Sequence, residues 1–394
     1  MKLPNDVREI LARRFKSKHR EWLKASLAEI GLDTSWPLEI GLDAPTEQNA
    51  LKQSEGVRAW ISRWKSWQGP GVLVWSDRRW RSLGTQSIPE RLILNNPTDV
   101  AVWIGEGQRW SRAVDRFRLL IQRWPTLADV LPRHFSVLAD YDDSDFICLS
   151  EILSWICSNP NSNLYLRQIP VAGVDSKWLE SRKGLVSELV TAIQGPSSGD
   201  GDFYTRCGLR RQPQLIRMRI LDPELRNHFG GLSDISAPWE EIANLSFKPS
   251  HAFIVENLQT GLAFEELTDS VVIMRLGYGV DVLGRVPWLQ QARCIYWGDI
   301  DTHGFAILNR ARTYLPNLTS VLMEEATLLD HRKLWGEEKV QHSATELPLL
   351  TSTEQALFRS LKDNVWGQQV RLEQERLRWD VAWRAIKIAI SEAS

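Results

Sequence analysis

The chain has 394 residues, a formal net charge of −1, 43% hydrophobic residues and 25% charged residues, values typical of a soluble protein with two or three domains. The sequence contains no apolar run long enough for a membrane helix or a signal peptide, no P-loop, and no zinc spacing among its four cysteines. We therefore expect a cytoplasmic protein without membrane contact, in which any ATP-driven step comes from a partner.

The first predicted element is a basic helix. Residues 1–24 carry eight Lys or Arg and three acidic residues, so the helix could follow a phosphate backbone, although a solvated helix face explains the pattern equally well. Farther along, helices predicted at 57–67 and 112–124 alternate with strands at 72–75 and 101–104. We interpret residues 1–135 as an N-terminal mixed helical and α/β module for partner or DNA binding.

Tryptophan is unusually abundant in this module. Of 19 tryptophans in the chain, ten lie before residue 125. Trp60, Trp64 and Trp67 recur at helical spacing. Aromatic side chains can stack on nucleic-acid bases, but helical spacing is more typical of a buried core. We therefore favour a core position for these tryptophans.

The central part of the chain has the pattern of a small DNA-binding domain. Apolar spacing predicts helices at 145–159 and 176–194, and the strand at 215–221 has one apolar face and one arginine-bearing face. Helices followed by such a ribbon favour a winged-helix (CAP-like) domain at 136–245. A small helical domain with an exposed strand is the alternative. The residues expected to contact the DNA backbone are Lys177, Arg182, Lys183, Arg217 and Arg219.

Three carboxylates follow buried strands in the next part. Glu256 comes after a strand at 251–255, and Asp299 and Asp301 come after one at 294–297. Strands that alternate with helices form a parallel sheet, and sites in such sheets lie beyond the carboxyl ends of the strands. Side chains two residues apart in an extended segment point the same way. Clustered carboxylates repel each other unless a cation separates them, and oxygen ligands favour Mg²⁺ or Mn²⁺.

This ordered set resembles the Toprim domain, the metal-binding catalytic unit of topoisomerases, primases and several nucleases. The Toprim pattern is a Glu after the first strand and Asp-x-Asp after a later strand, which Glu256, Asp299 and Asp301 match within about residues 247–327. The form with Gly277-Tyr278-Gly279 between them is most similar to the A subunit of topoisomerase VI. The resemblance implies a C-terminal Toprim domain at 246–394 with a parallel sheet.

A narrower resemblance covers most of the chain. Residues 167–178, the segments Val255-Glu256-Asn257 and Leu262-Ala263-Phe264, and residues 371–376 resemble the marks of the JetD family, also called MksG. That family supplies the nuclease subunit of the condensin-like Wadjet plasmid-defence systems. The resemblance implies a nucleoid-associated DNA endonuclease that hydrolyses plasmid DNA. The partners that it implies are double-stranded DNA and an SMC-like ATPase and kleisin complex of the JetABC or MksBEF type. We also expect a homodimer, because a double-strand break needs two hydrolytic sites and one chain supplies one.

The resemblance also assigns roles. Glu256, Asp299 and Asp301 would be the ligands of Mg²⁺ or Mn²⁺, with two ions per site, and Glu256 would lie near the general-base position. His303 would either contact the scissile phosphate or only cap the following helix, whose first N–H groups favour an anion. The weaker supporting residues are Gly277, Gly279, Gly304, Glu373 and Glu375. Ordinary roles in turns, and on a charged face of a helix predicted to run from Arg371 to the end of the chain, remain alternatives for them.

Two other functions remain open. Topoisomerase VI A subunits cut DNA with a tyrosine nucleophile on the winged-helix domain, but Tyr165 and Tyr204 in this chain lack the tandem-aromatic context of that family. Hydrolysis by water is therefore favoured over a tyrosine-dependent reaction. The third hypothesis is a non-catalytic DNA-binding subunit of an SMC complex. The complete carboxylate trio argues against it, because an inactive domain does not need the acids.

Overall fold

The computed structural model describes residues 1–26, 36–195, 201–246 and 248–391, and it forms two compact units, Met1–Gln212 and Pro213–Ser394. Each unit has its own hydrophobic core. This division differs from the expected boundaries after residues 135 and 245. The loop expected at 195–201 falls mostly outside the described residues. Within the described ranges, no helix combines the length and apolar character that crossing a membrane requires.

The first unit is mainly helical and contains one small antiparallel sheet. Its strands, in the sheet order β1-β3-β2, are β1 (Leu38–Gly41), β2 (Val72–Trp80) and β3 (Gly84–Leu94). Its described helices are α1 (Pro4–Ala25), α2 (Glu47–Lys52), α3 (Ser54–Lys65), α4 (Pro97–Ile104), α5 (Gly107–Arg123), α6 (Phe135–Asp140), α7 (Asp143–Ser158), α8 (Ser176–Ser181), α9 (Lys183–Gln194) and α10 (Phe203–Arg206). Helices α3, α5 and α7 confirm three predicted helices within a few residues. The helix expected at 176–194 is interrupted at Arg182.

One predicted strand in this unit is wrong. Residues 101–104 belong to helix α4, because strong capping signals enclose them. The Asn96 side chain accepts a hydrogen bond from the Asp99 N–H (2.9 Å), and Pro97 occupies the first turn. Gly105, at φ 84°, ends the helix in the left-handed conformation. These caps stabilise the helix enough to outweigh the strand preference of the β-branched residues inside it.

The tryptophans at helical spacing pack in the core of the first unit, as expected. Trp60 and Trp64 are 2% and 1% exposed. Both indole N–H groups donate to the carbonyl oxygen of Lys2, at 2.7 and 3.0 Å. Trp67 stacks on Trp103 with 4.8 Å between ring centroids. Buried indoles with satisfied N–H groups stabilise the unit and are not accessible to bases.

The second unit is built on a six-stranded mixed sheet in the order β5-β4-β7-β6-β8-β9. The strands of this unit are β4 (Leu215–Ile220), β5 (Asp234–Pro238), β6 (His251–Val255), β7 (Ser270–Met274), β8 (Arg293–Trp297), β9 (Thr319–Ser320), β10 (Gly336–Glu337) and β11 (Val370–Arg371). Its described helices are α11 (Pro223–Arg226), α12 (Trp239–Ala243), α13 (Leu258–Ala263), α14 (Thr302–Tyr314), α15 (Glu325–Asp330), α16 (Ser352–Lys362) and α17 (Trp379–Ser391). Strands β7, β6, β8 and β9 are parallel, which confirms the α/β prediction, and all five residues of β7 are buried.

The expected ribbon of the winged helix has a different place. Strand β4 pairs antiparallel with β7, so it extends the sheet that carries the carboxylates. The helices expected to accompany it, α8 and α9, lie in the first unit. The strand itself and its alternation were predicted correctly, with Ile216, Met218 and Ile220 fully buried. An alternating strand fits a mixed sheet and a ribbon equally well, so its pattern did not reveal which strands it pairs with.

The end of the second unit also departs from expectation. The helix predicted to start at Arg371 starts only at Trp379, as α17, and the residues before it form strand β11 and a short 3₁₀ turn at Gln374–Arg376. Two main-chain hydrogen bonds join Leu372 to Ile300, at 2.9 and 3.1 Å, and hold this segment extended. Residues 370–374, called the strap below, therefore lie directly against the Asp-x-Asp loop.

Candidate metal centre

Glu256 lies at the carboxyl edge of the parallel sheet, beside the Asp-x-Asp loop. Strands β6 and β8 are paired with Val255 opposite Trp297, so Glu256 and Gly298 follow at neighbouring positions. A Cβ at Gly298 would lie 2.4 Å from Glu256 Oε1, and only glycine permits this approach. The hydroxyl of the buried Tyr296 donates to the same Oε1 and orients the carboxyl group.

The environment favours the neutral form of Glu256. Its pKa is raised to about 8: burial is the largest cause and the charges of Asp299 and Asp301 add to it, while the Tyr296 hydrogen bond and Arg371 oppose the shift. Burial and the neighbouring Glu256 likewise raise the Tyr296 pKa well above its usual value. Glu256 is thus a carboxyl group that can hold a proton near neutral pH unless a further cation arrives.

Asp301 both caps helix α14 and faces the cluster. Its Oδ1 accepts the Gly304 N–H at 2.7 Å, as the capping alternative anticipated. A Cβ at Gly304 would lie 2.2 Å from the Asp299 carbonyl oxygen, which explains the glycine at that position. Burial raises the Asp301 pKa to about 6, with contributions from Glu338 and Asp299. The cap leaves Oδ2 of Asp301 directed at other partners.

Arg371 of the strap binds both aspartates. Its Nη2 donates to Asp299 Oδ2 at 2.6 Å, and its Nε lies 2.9 Å from Asp301 Oδ2. The Nε contact is a close ion pair, but this nitrogen has no well-aligned hydrogen-bond acceptor. Nη1 lies 3.2 Å from Glu373 Oε1. The Arg371 side chain is 34% exposed, whereas the Asp299 and Asp301 side chains are 16% and 7% exposed.

The rest of the strap fixes Asp299 and the residue after Glu256. The Gln374 N–H donates to Asp299 Oδ1 at 2.9 Å, and the buried Gln374 side chain donates to the Trp297 carbonyl oxygen. Asn257 donates through Nδ2 to Glu375 at 2.9 Å, while its Oδ1 caps α13. Glu373 therefore lies in the strap and Glu375 in the 3₁₀ turn at its end, and neither lies on the face of a long helix.

The first N–H groups of α14 already donate to a carboxylate of the same chain. The carboxylate of Glu338, which is 4% exposed, accepts the Thr302 hydroxyl at 2.7 Å and the Thr302 and His303 N–H groups at 3.4 and 3.3 Å. In this arrangement the anion at the start of α14 is a carboxylate of the chain itself. Glu338 supplies the negative charge that the helix N-terminus favours.

His303 belongs to a ring cluster at the open side of the site. Its Nδ1 contacts the Tyr278 hydroxyl, and its Nε2 lies 3.1 Å from the Val340 carbonyl oxygen. The Tyr278 ring also stacks on His342 with centroids 6.3 Å apart. Burial raises the pKa of Tyr278, and the charge of Asp301 raises it further. Tyr278 and His303 are 44% and 42% exposed, so both remain accessible.

The other predicted residues are held by their own units. Gly277, at φ 50°, begins the 3₁₀ segment Gly277–Arg285, and Gly279 lies next to the Gln214 side chain. Arg217 forms an ion pair with Asp234 at 2.7 Å. Arg219 donates to three main-chain carbonyl groups between residues 261 and 264. Among the residues proposed to bind DNA, Arg217 is therefore paired with the neighbouring strand β5, and Arg219 is bound to the end of helix α13.

The three basic residues in the first unit differ in accessibility. Lys177 is exposed on α8. Arg182 forms an ion pair with Asp145 at 2.6 Å and packs against the Trp178 ring at 4.6 Å. Lys183 donates to the Tyr204 hydroxyl at 2.8 Å. Lys177 is thus the freest of the three for a backbone contact.

The donor set suits a hard cation, but its present partner is Arg371. Glu256, Asp299 and Asp301 offer only oxygen atoms. Burial, and to a smaller extent their mutual repulsion, raises the pKa values of Glu256 and Asp301, so a further positive charge would stabilise the ionised cluster. The guanidinium stands where a cation between Asp299 and Asp301 would stand. Among the described residues, no group of three or more Asp, Glu, His or Cys side chains has the geometry to bind one metal ion in the present arrangement.

The sequence predicted the three acids but not the residues that contact them and the start of α14. Glu338 precedes the exposed Val340 and has no motif around it. Arg371 and Gln374 lie in a segment that matches the JetD family, yet the match assigned them no role. Their function follows only from the Ile300–Leu372 pairing, which brings together residues far apart in the sequence.

Comparisons with known proteins agree with the resemblance. The family model described as "Wadjet protein JetD, C-terminal" matches residues 208–386. The model described as "Uncharacterized protein conserved in bacteria N-term (DUF3322)" matches residues 4–191. Together the two models span most of the chain, and the JetD match begins close to the boundary between the units. No curated protein matches the chain.

Proposed function

This chain belongs to the family of the Wadjet protein JetD, and from this membership we propose that it is the DNA endonuclease of a Wadjet defence system, with a Toprim-type, Mg²⁺- or Mn²⁺-dependent site. Family membership implies a role in Wadjet defence and an SMC-like complex as partner. The nuclease reaction, its metal dependence and its location at the nucleoid are our proposals. The observation that supports them best is the convergence of Glu256, Asp299 and Asp301 at one edge of a parallel sheet.

Each acid of this site would have a separate role in hydrolysis. Asp299 and Asp301 would hold the cation, with two ions per site expected, and Glu256 would serve one ion and accept a proton near the attacking water. Bound divalent ions would supply charge neutralisation at the phosphate and a water of lowered pKa. Tyr296 keeps Glu256 oriented, and Glu338 keeps the start of α14 in place. These fixed contacts preserve the geometry when the cluster changes charge.

Asp299 is the residue with which to test metal-dependent hydrolysis. Asp299→Ala should abolish plasmid cleavage, while the fold and DNA binding persist, because removing one of several clustered acids relieves repulsion. Asp363→Ala, which removes an exposed acid of the same unit, is the matched control and should cleave normally. Full cleavage by Asp299→Ala, or full cleavage by the unsubstituted protein in excess EDTA, would refute the metal-dependent site.

The structure identifies one residue that bears on the tyrosine-dependent alternative. Tyr278 lies near the acids and is accessible, but its raised pKa disfavours the phenolate that a nucleophile requires. Hydrolysis by water is therefore favoured. A protein–DNA adduct that survives denaturant and disappears in Tyr278→Phe would favour the topoisomerase-like reaction instead.

We further propose that the chain acts as a homodimer and depends on its partner complex. One site cuts one strand, so a two-fold dimer is the simplest way to cut both strands of a duplex. The sequence has no P-loop, so the ATP-driven selection of plasmid DNA would come from the SMC-like complex. Rapid cleavage of closed-circular DNA by the lone chain, independent of that complex and ATP, would contradict the dependence. A monomer in sedimentation at micromolar concentration would contradict the dimer.

A further inference from the structure

Arg371 contacts the oxygen atoms that a cation between the two aspartates would need. Asp299 Oδ1 accepts the Gln374 N–H and Asp301 Oδ1 accepts the Gly304 N–H, at 2.9 and 2.7 Å. Both donors are main-chain groups fixed by the strap and by helix α14. The two Oδ2 atoms remain for a cation, and both contact the Arg371 guanidinium, at 2.6 and 2.9 Å.

We propose that Arg371 is an exchangeable counter-ion: a divalent cation and the Arg371 guanidinium compete for Oδ2 of Asp299 and Asp301, and metal loading displaces Arg371 from the cluster. This inference rests on the metal-dependent function proposed above. The two aspartate side chains are 16% and 7% exposed. Two cations on the same pair of oxygens in such a shielded place repel each other strongly. The exchange keeps the cluster close to neutral at every stage.

The contacts of Arg371 indicate how it leaves. The Asp301 contact through Nε lacks hydrogen-bond alignment, so it is the weaker of the two and breaks first. Nη1 already lies 3.2 Å from Glu373 Oε1, outside the aspartate pair. The side chain is 34% exposed, so a rotation toward Glu373 and solvent needs no rearrangement of the core. The strap backbone can stay in place, because Leu372 and Gln374 hold it.

Metal binding by the full chain tests the competition directly. Calorimetric titration with Mn²⁺ should show that Arg371→Gln binds roughly tenfold to a hundredfold more tightly than the unsubstituted protein, since the displaced charge-assisted contacts are of that scale. Arg371→Lys, which keeps the charge but not the two-pronged contact, should fall between them. Arg376→Gln is the matched control, because Arg376 contacts Glu373 but neither aspartate. Its Mn²⁺ affinity should not change.

A second measurement uses the unsubstituted protein and does not depend on the folding of any variant. Phenylglyoxal modifies accessible arginines, and peptide mass spectrometry locates the modified positions. Mn²⁺ should increase modification of Arg371 several-fold and leave Arg376 unchanged. Equal modification of Arg371 with and without Mn²⁺, at concentrations that calorimetry shows to saturate the site, would overturn the proposal.

The outcomes separate this proposal from the proposed function. If the unsubstituted protein binds Mn²⁺ and Arg371→Gln binds it with equal or lower affinity, the competition is refuted while the metal-dependent site stands. If neither protein binds Mn²⁺ or Mg²⁺, and Asp299→Ala still cleaves DNA, the metal-dependent function itself fails. Tighter binding in Arg371→Gln together with metal-induced exposure of Arg371 supports both.

Discussion

Replacing Glu256 with glutamine should stabilise the metal-free protein, and the gain should increase with pH. The pKa of Glu256 is about 8 in the folded protein, against an ordinary 4.5. The folded state therefore keeps a proton that the unfolded chain loses as the pH rises between these two values. In this window the free energy of unfolding falls with pH, and above the folded pKa the loss is complete.

The expected size follows from the pKa gap. Each pH unit between the two pKa values is worth about 1.4 kcal/mol. Near pH 5 the ionisable Glu256 therefore destabilises the fold by less than about 1 kcal/mol, and near pH 7 by up to about 3 kcal/mol. Glutamine removes the ionisation and still accepts the Tyr296 hydroxyl. For a unit of this size each 1 kcal/mol corresponds to roughly 2–4 °C in the melting temperature.

Thermal unfolding in EDTA at the two pH values is the assay. Glu265→Gln changes an exposed carboxyl group of the same unit and should stay within about 0.5 kcal/mol at both. Saturating Mn²⁺ should reverse the order, because the unsubstituted protein gains stability from the bound ion and Glu256→Gln gains less. A Glu256→Gln variant that is no more stable than the unsubstituted protein near pH 7, or whose gain does not grow with pH, would refute the reasoning.

Three further predictions concern other parts of the structure. Gly298→Ala should destabilise the fold by about 1–3 kcal/mol and weaken Mn²⁺ binding, because the added methyl group would lie 2.4 Å from Glu256 Oε1; thermal unfolding and calorimetry measure both effects. Tyr165→Phe and Tyr204→Phe should each cleave DNA within a few-fold of the unsubstituted protein and form no covalent adduct, as denaturing gels would show. Arg219→Ala should lower the free energy of unfolding by about 1–3 kcal/mol in denaturant titrations, because it leaves partly buried carbonyl groups without their hydrogen-bond donor.

The two stability predictions, for Gly298 and Arg219, have controls in the chain. Gly184→Ala adds a methyl group where no atom lies within 4 Å, so it should not destabilise the fold. Arg378→Ala removes an exposed ion pair with Asp380 and should have little effect on stability. Neutral stability in Arg219→Ala, combined with a weaker salt dependence of DNA binding, would instead support the original assignment of this arginine to the DNA backbone.

The sequence predicted the sheet edge well because its signals are local. The buried strands before Glu256 and Asp299 are short apolar runs, and the alternation with helices fixes a parallel arrangement. The same local rules failed at residues 101–104, where helix caps outweighed the strand-like composition. They also failed at β4, because alternation specifies a half-buried strand without naming the sheet that it joins.

The residues that balance the charges of the site could not be predicted from the local sequence. Arg371 is 72 positions from Asp299 in the sequence, and nothing near it indicates which acid it meets. Glu338 similarly binds the N-terminus of α14 from 36 positions away. The sequence therefore predicts the acids that need a cation, while only the folded chain shows which of its own groups meet that need.

The pairing of Ile300 with Leu372 has a consequence for how this protein can vary in length. It closes a long chain loop, and the entropy of closing a loop grows only with the logarithm of its length, by about 0.6 kcal/mol for each doubling. The exposed turn around Val365, which is 61% exposed, lies within that loop. Segments inserted at this turn would change the stability of the site little. Relatives can therefore acquire additional surface elements there without altering the register between the strap and the aspartates.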